Sequence, residues 1–249
     1  MHKGLGDHDE ALRLSLESLA QHRSLGGDAG IALCLSNLAS LQLDRGETAS
    51  VEGYLQEALA LAERHGLEQT RVLAVANLAY AALLRGELDR AWAQGTRAVE
   101  LGRAAGYRGV VAEIEMGLSR CALLQGDPAR AGARLVDGLK LANEIGRRSL
   151  QLLGLTCFAD LLVARGDNAL ASKLFAHVVD QPELAKQERT RARSRLARLP
   201  GDGVEGVIAM PLAELTHRIV VEADVDQAPL IAALHATMRD TSTSTRTPR

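Results

Sequence analysis

Apolar residues recur at three- and four-residue spacing through long stretches of this chain, as in SVEGYLQEALALAERH (Ser50 to His65) and VLAVANLAYAALLR (Val72 to Arg85). That spacing places them on one face of a helix, and the segments are rich in Ala, Leu, Glu and Arg with no interior proline. They predict helices of about 17 residues. The pattern is punctuated by a Gly-acid step at Gly6-Asp7, Gly46-Glu47, Gly86-Glu87, Gly126-Asp127 and Gly166-Asp167, each 40 residues after the last. A second set, Gly26, Gly66, Gly106 and Gly146, falls midway between them.

Glycine at the end of a helix adopts the left-handed conformation at little cost, and an acid after it can accept hydrogen bonds from the next helix's first amides. Gly126 therefore ends one helix, Asp127 caps another, and Pro128 sits in the first turn, where its missing amide hydrogen costs nothing. Repeated along the chain, this predicts antiparallel helix pairs stacked at a fixed period, the pattern of a solenoid in which each unit buries its apolar face on its neighbours.

The aligned repeats share more than glycines. Before the Gly-acid step stand SNLASLQLDRG, ANLAYAALLRG, GLSRCALLQG and CFADLLVARG; after it come Ala91, Ala131 and Ala171, with Leu59, Val99, Leu139 and Val179 eight residues on. This resembles the tetratricopeptide repeat over about residues 1 to 199, with Val51 in place of a small alanine and Gly117 and Cys157 interrupting the Asn37, Asn77 series. The resemblance implies an all-α, right-handed superhelical solenoid of period 40, in which small residues such as Ala39, Ala79, Ser119 and Ala159 allow close helix approach. The long period and the Asn-Leu-Ala signature are most similar to the long repeats of kinesin light chains, cell-polarity adaptors and bacterial regulators. Arrays at the C-terminus of large bacterial transcription regulators and signalling ATPases are the nearest in kind.

In that family the helix before the Gly-acid step lines a concave groove. Counting from Asn37, the inward line takes in Ser36, Asn37 and Ser40, then Ala76, Asn77 and Tyr80, then Glu113, Met116 and Arg120, then Thr156 and Asp160. The expected groove residues are accordingly Asn37, Ser40, Asn77, Tyr80, Glu113, Met116, Arg120 and Asp160. The resemblance implies that Asn37 and Asn77 contact the backbone of an extended peptide; on hydrogen bonding alone they could equally tie neighbouring helices together.

Both ends depart from the period. The helix from about residue 7 to 25 corresponds to the second of a pair and has no partner before it, so Leu12, Leu16 and Leu19 lack their usual cover. They are expected to meet a missing upstream segment, a docked molecule or a second copy, unless the next repeat covers them. After Gly166 the period fails, and a capping helix is expected at about 184 to 199, with Leu184, Ala192, Leu196 and Leu199 packed inward and a solvated face of arginines. Two short helices near 211 to 222 and 227 to 239 form a C-terminal extension over 200 to 240, and the polar residues 241 to 249 read as a disordered tail.

Composition changes this picture little. With 47% hydrophobic and 24% charged residues and a net charge of -2, the chain reads as globular, without a general field for nucleic acid. No apolar run is long enough to cross a bilayer and the start lacks a signal peptide's apolar core, so a cytoplasmic location is expected. Cys34, Cys121 and Cys157 suggest buried small residues. Catalytic patterns fail on context: GDGVEG at Gly201 to Gly206 follows a helix where a phosphate loop follows a strand, His8-Asp9-Glu10 opens a helix, and the other histidines lack metal-ligand spacing. No enzyme activity, metal or cofactor is expected. The expected function is protein or peptide binding in the groove, as the C-terminal scaffold or sensor part of a bacterial regulator. The alternative is a small-molecule effector sensor controlling an attached DNA-binding or ATPase portion.

Overall fold

The computed structural model describes residues 3–199 and 210–223, which form eleven α-helices and no strand. In chain order they are α1 (Lys3–Leu25), α2 (Asp28–Leu43), α3 (Val51–His65), α4 (Glu68–Leu84), α5 (Leu88–Ala104), α6 (Arg108–Leu124), α7 (Pro128–Ile145), α8 (Arg148–Ala164), α9 (Asn168–Val179), α10 (Lys186–Leu196) and α11 (Leu212–Ala223). The expected helix at 227 to 239, the tail and the GDGVEG stretch lie outside the described residues. Among the described residues no helix is long and apolar enough to cross a membrane.

The punctuation works as the sequence predicts at eight of its nine glycines; the exception is Gly6, which α1 runs through as ordinary helix, so the Gly6-Asp7 step makes no turn. Gly26, Gly46, Gly66, Gly86, Gly106, Gly126, Gly146 and Gly166 all have φ between 64° and 87°. At Gly86 the amide of Glu87 donates back to the Ala82 carbonyl at 2.9 Å, and the same closure recurs from Glu47 to Gln42, Tyr107 to Gly102, Asp127 to Ala122 and Asp167 to Leu162. Each bond satisfies a carbonyl that the end of the helix would otherwise leave without a partner. The acid that follows acts in two ways. Asp127 and Asp167 accept from the amides of Arg130 and Leu170 at 2.9 and 3.1 Å and so cap α7 and α9. Glu87, one methylene longer, instead pairs with Arg85 and Arg90 at 2.8 and 3.2 Å and leaves α5 without a side-chain cap.

The chain divides into two compact units, residues 1–114 and 115–249, with the boundary inside α6. In unit 1, consecutive helices from α1 to α5 pack pairwise, and α2 also touches α4. Second helices are one-sided: α3 buries Val51, Leu55, Ala58 and Ala62, a single stripe at helical spacing. First helices are covered on more than one side, and α4 buries Val72, Ala74, Val75, Leu78, Ala79, Ala81 and Ala82. Close approach is built in where a side chain takes the space of a missing Cβ: a Cβ on Gly30 would lie 2.2 Å from His22 Nδ1, so α1 meets the first turn of α2 only because that residue is glycine.

Contact with α2 corrects the expectation for α1. Leu19 is buried among Ile31, Cys34, Leu35 and Leu38, Leu12 is half-buried against the same cluster, and Leu16 stays exposed. The packed face is centred on Ser15, Leu19 and His22, about a quarter turn from Leu16. The three leucines therefore do not form one uncovered stripe.

Unit 2 is built round Phe158 and Phe175, both fully buried, with Leu135, Leu139, Leu152, Leu155 and Leu161. Gly154 lets α8 approach α7 closely, since a Cβ there would lie 2.2 Å from Leu139 Cδ2. Helix α11 packs on α7 and α8 through Leu212, Leu215 and Ile219, and Thr216 Oγ1 donates to Asn143 Oδ1 at 2.7 Å. That oxygen also accepts from Gln151 Nε2 at 3.0 Å, so one half-buried side-chain carbonyl joins three helices.

Candidate functional site

Helical phase decides what each first helix offers. On α2, residues 33, 37 and 40 lie within one quadrant, and all three are exposed: Leu33, Asn37 and Ser40. The matching positions on α4 are Leu73, Asn77 and Tyr80, all half-buried, with Tyr80 resting on the cluster of Ala39, Leu43, Leu55, Ala74 and Leu78. Among the described residues neither asparagine side chain hydrogen-bonds to another part of the chain, so they do not tie the helices together. Glu113, on the part of α6 belonging to unit 1, is exposed. Unit 1 thus brings together Asn37, Ser40, Asn77 and Tyr80 on the neighbouring helices α2 and α4, a polar line edged by the two leucines.

Unit 2 uses the same register differently. Met116 is fully buried and is no groove residue. It stands in register with Ser36 and Thr156, both of which also turn inward, and it packs beside Gly154 with its carbonyl 3.8 Å from Cys157 Sγ. Arg120 and Asp160 do occupy the register of Ser40 and Tyr80, but α10 lies against them. Arg120 Nη1 donates to Glu188 Oε1 at 2.8 Å, Arg191 Nε donates to Glu188 Oε2 at 2.9 Å, and Arg191 Nη1 donates to Asp160 Oδ2 at 2.6 Å. Arg195 Nε adds a contact to Asp160 Oδ1 at 3.2 Å.

The solvated face expected of the cap is present in Lys186, Arg193, Arg195 and Arg198, all exposed, but Arg191 departs from it and turns inward with Glu188. The Glu188, Arg191 and Asp160 side chains are only 12%, 22% and 5% exposed. Burial would raise the Glu188 carboxyl, yet Arg120 and Arg191 outweigh it and hold it below its ordinary value. Burial would likewise lower the Arg191 guanidinium, and Glu188 and Asp160 hold it above its ordinary value. Of the apolar residues expected to anchor the cap, Leu184 and Ala192 are buried and Leu196 and Leu199 only half-buried. Glu188, Arg191 and Arg195 were not singled out from the sequence as inward residues. Their spacing of three and four puts them on one helical face, and the register that holds Ser40 and Tyr80 on α2 and α4 carries the charges of Arg120 and Asp160 on α6 and α8, which is the available signal.

Other chemistry-bearing groups are quiet. Burial pushes the Cys157 thiol up to about 12, which removes it from thiolate chemistry near neutrality. Among the described residues no three His, Cys, Asp or Glu side chains gather where a metal ion could be held.

Comparison with known proteins agrees with the repeat reading at the N-terminus and with the fold throughout. No curated protein matches the chain. The crystal structure of BtubC (BKLC) from P. vanneervenii superposes with a TM-score of 0.58 at 13% identity, covering 97% of this chain and 95% of that one. At that identity the likeness is one of fold. Residues 1–64 match the family model of the tetratricopeptide repeat, and the helix-pair architecture that follows them is of the same kind.

Proposed function

We propose that the chain is a protein-binding module that takes an extended peptide segment across α2 and α4 in unit 1. Tetratricopeptide repeats are in general protein–protein interaction modules, which sets the class. The observation that carries the reading is the pair Asn37 and Asn77, in equal register on adjacent helices, with amides that bond to nothing else among the described residues. A carboxamide offers a carbonyl acceptor and two N–H donors, which match the N–H and C=O of one peptide unit in an extended chain. Leu33 and Leu73, one turn before the asparagines, offer apolar contact to the side chains between those units. In keeping with the long-repeat resemblance, the module serves as the C-terminal scaffold or sensor part of a bacterial regulator, with its partner a protein of the same signalling assembly.

The test begins with peptides selected from a random display library on the full chain. Asn77→Ala and Asn37→Ala are each expected to weaken the selected peptides about tenfold, the effect of losing roughly 1.4 kcal/mol of binding, with helical content unchanged. Glu57→Ala and Arg97→Ala, which alter exposed ion pairs on second helices at 2.9 and 3.4 Å, serve as controls. Equal losses in the controls would place the peptide on another surface.

A further inference from the structure

We propose that α10 is a displaceable internal ligand, and that the face of α6 and α8 beneath it is a second binding site, for a partner helix carrying a glutamate with an arginine one turn later. The proposal stands on unit 2 alone, so the fate of the Asn37 and Asn77 reading does not decide it.

Three observations carry it. First, Arg120 and Asp160 hold the register that on α2 is the exposed Ser40, so α10 occupies a place that α2 leaves open. Second, the hold on α6 and α8 is ionic, while the close packing of α10 falls on α9 and on the buried Leu184 just before it. The sequence of α10, KQERTRARSRL, contains only Ala192 and Leu196 as apolar residues, and only Ala192 is fully buried. Buried ion pairs specify position well but contribute little net stability, because desolvation offsets their attraction. Third, the network is incompletely satisfied. Arg191 Nη2 is buried without a hydrogen-bond partner, and Asp160 Oδ1 has only the ion contact of Arg195. A half-satisfied buried network weakens the seat that it marks. Charge order thus sets where α10 lies on α6 and α8, while an 11-residue helix with one buried alanine has little apolar surface of its own to give up on leaving them.

The partner's chemistry follows from the seat. Arg120 takes a carboxylate at the position of Glu188, and Asp160 takes a guanidinium at the position of Arg191, three residues on along a helix. A partner with the two charges reversed would set like against like at both places.

The experiment uses the full chain with Glu188→Gln and Arg191→Gln together, hydrogen exchange, and a fluorescent synthetic peptide spanning residues 182–199. Amides of α10 are expected to exchange at least tenfold faster in the double variant, while those of α8 and α9 keep wild-type rates. The peptide is expected to bind the double variant at least tenfold more tightly than the wild-type chain. Adding Asp160→Asn, or exchanging the glutamate and first inward arginine within the peptide, should abolish that gain. If α8 and α9 loosen together with α10, the helix is an inseparable part of the core and the proposal fails. It fails equally if the loosened chain does not take up the peptide, or takes the charge-exchanged peptide as well.

Discussion

At the scale of single residues, glycine does two opposite things in this chain, and substitution separates them. Gly86 has φ 76°, where a Cβ meets the following carbonyl, while Gly53 lies within α3 at ordinary helical φ with open space around it. Gly86→Ala is expected to cost about 1 kcal/mol. Gly53→Ala is expected to gain between about 0.5 and 1 kcal/mol by reducing the freedom of the unfolded chain. Urea midpoints of the two variants, moving in opposite directions from the wild type, check the assignment; a loss in both would contradict it. The glycines were legible because their role is local, set by the backbone of one residue. Asn37 and Asn77 were legible for a related reason, since register alone puts them outward on α2 and α4. Met116 was not. It sits one position away from that line, and a single step of about 100° is enough to turn a side chain from groove to core.

At the scale of elements, α10 is where expectation and structure part. A run with five arginines between residues 189 and 198 reads as a solvated surface when its partners are unknown. The acid and the arginine that organise it come from different helices, Asp160 on α8 and Arg120 on α6, and nothing within the segment announces them. Docking of α10 should respond to acid. The Glu188 carboxyl is lower in the folded chain than its ordinary value of 4.5, so its contribution is complete above that pH and is lost as pH falls through the folded value. Arg120 and Arg191 face it directly, with Asp160 and Arg195 beyond, so the paired state is the ionised one. The difference in α10 stability between wild type and Glu188→Gln, read by hydrogen exchange, should be largest near neutrality and shrink on acidification below about pH 4.5. A difference that holds constant into acid would remove the ion pair from the account. The same limit explains α1: helical spacing grouped Leu12, Leu16 and Leu19, but the face that packs on α2 is centred on Ser15, Leu19 and His22 and leaves Leu16 out.

At the scale of the molecule, the repeat made the helical architecture legible from end to end of the array, because period, stop signal and apolar stripe all agree. The division into two units did not show in the sequence, since the 40-residue period runs through α6 without interruption. The eight left-handed glycines carry one more implication, which concerns the gene as much as the protein. Gly46 and Gly86 share the same φ of 76°, and each is followed by glutamate, so they are interchangeable splice points. Removing residues 47–86 joins Gly46 to Glu87 at the same glycine φ and sets α5, which begins at once at Leu88, in the place of α3, with Ala91, Ala98 and Val99 where Val51, Ala58 and Leu59 stood. Because stability in such arrays is a sum over neighbouring pairs, the shortened chain should still unfold cooperatively, at a lower midpoint. Removing 47–66 also joins two glycine-terminated helices, but it excises a single helix, so every later helix points the wrong way for its neighbours. That chain should lose its cooperative transition. Length in this protein is therefore quantised: unequal recombination can lengthen or trim it in steps of one period, and half steps are lethal to the fold.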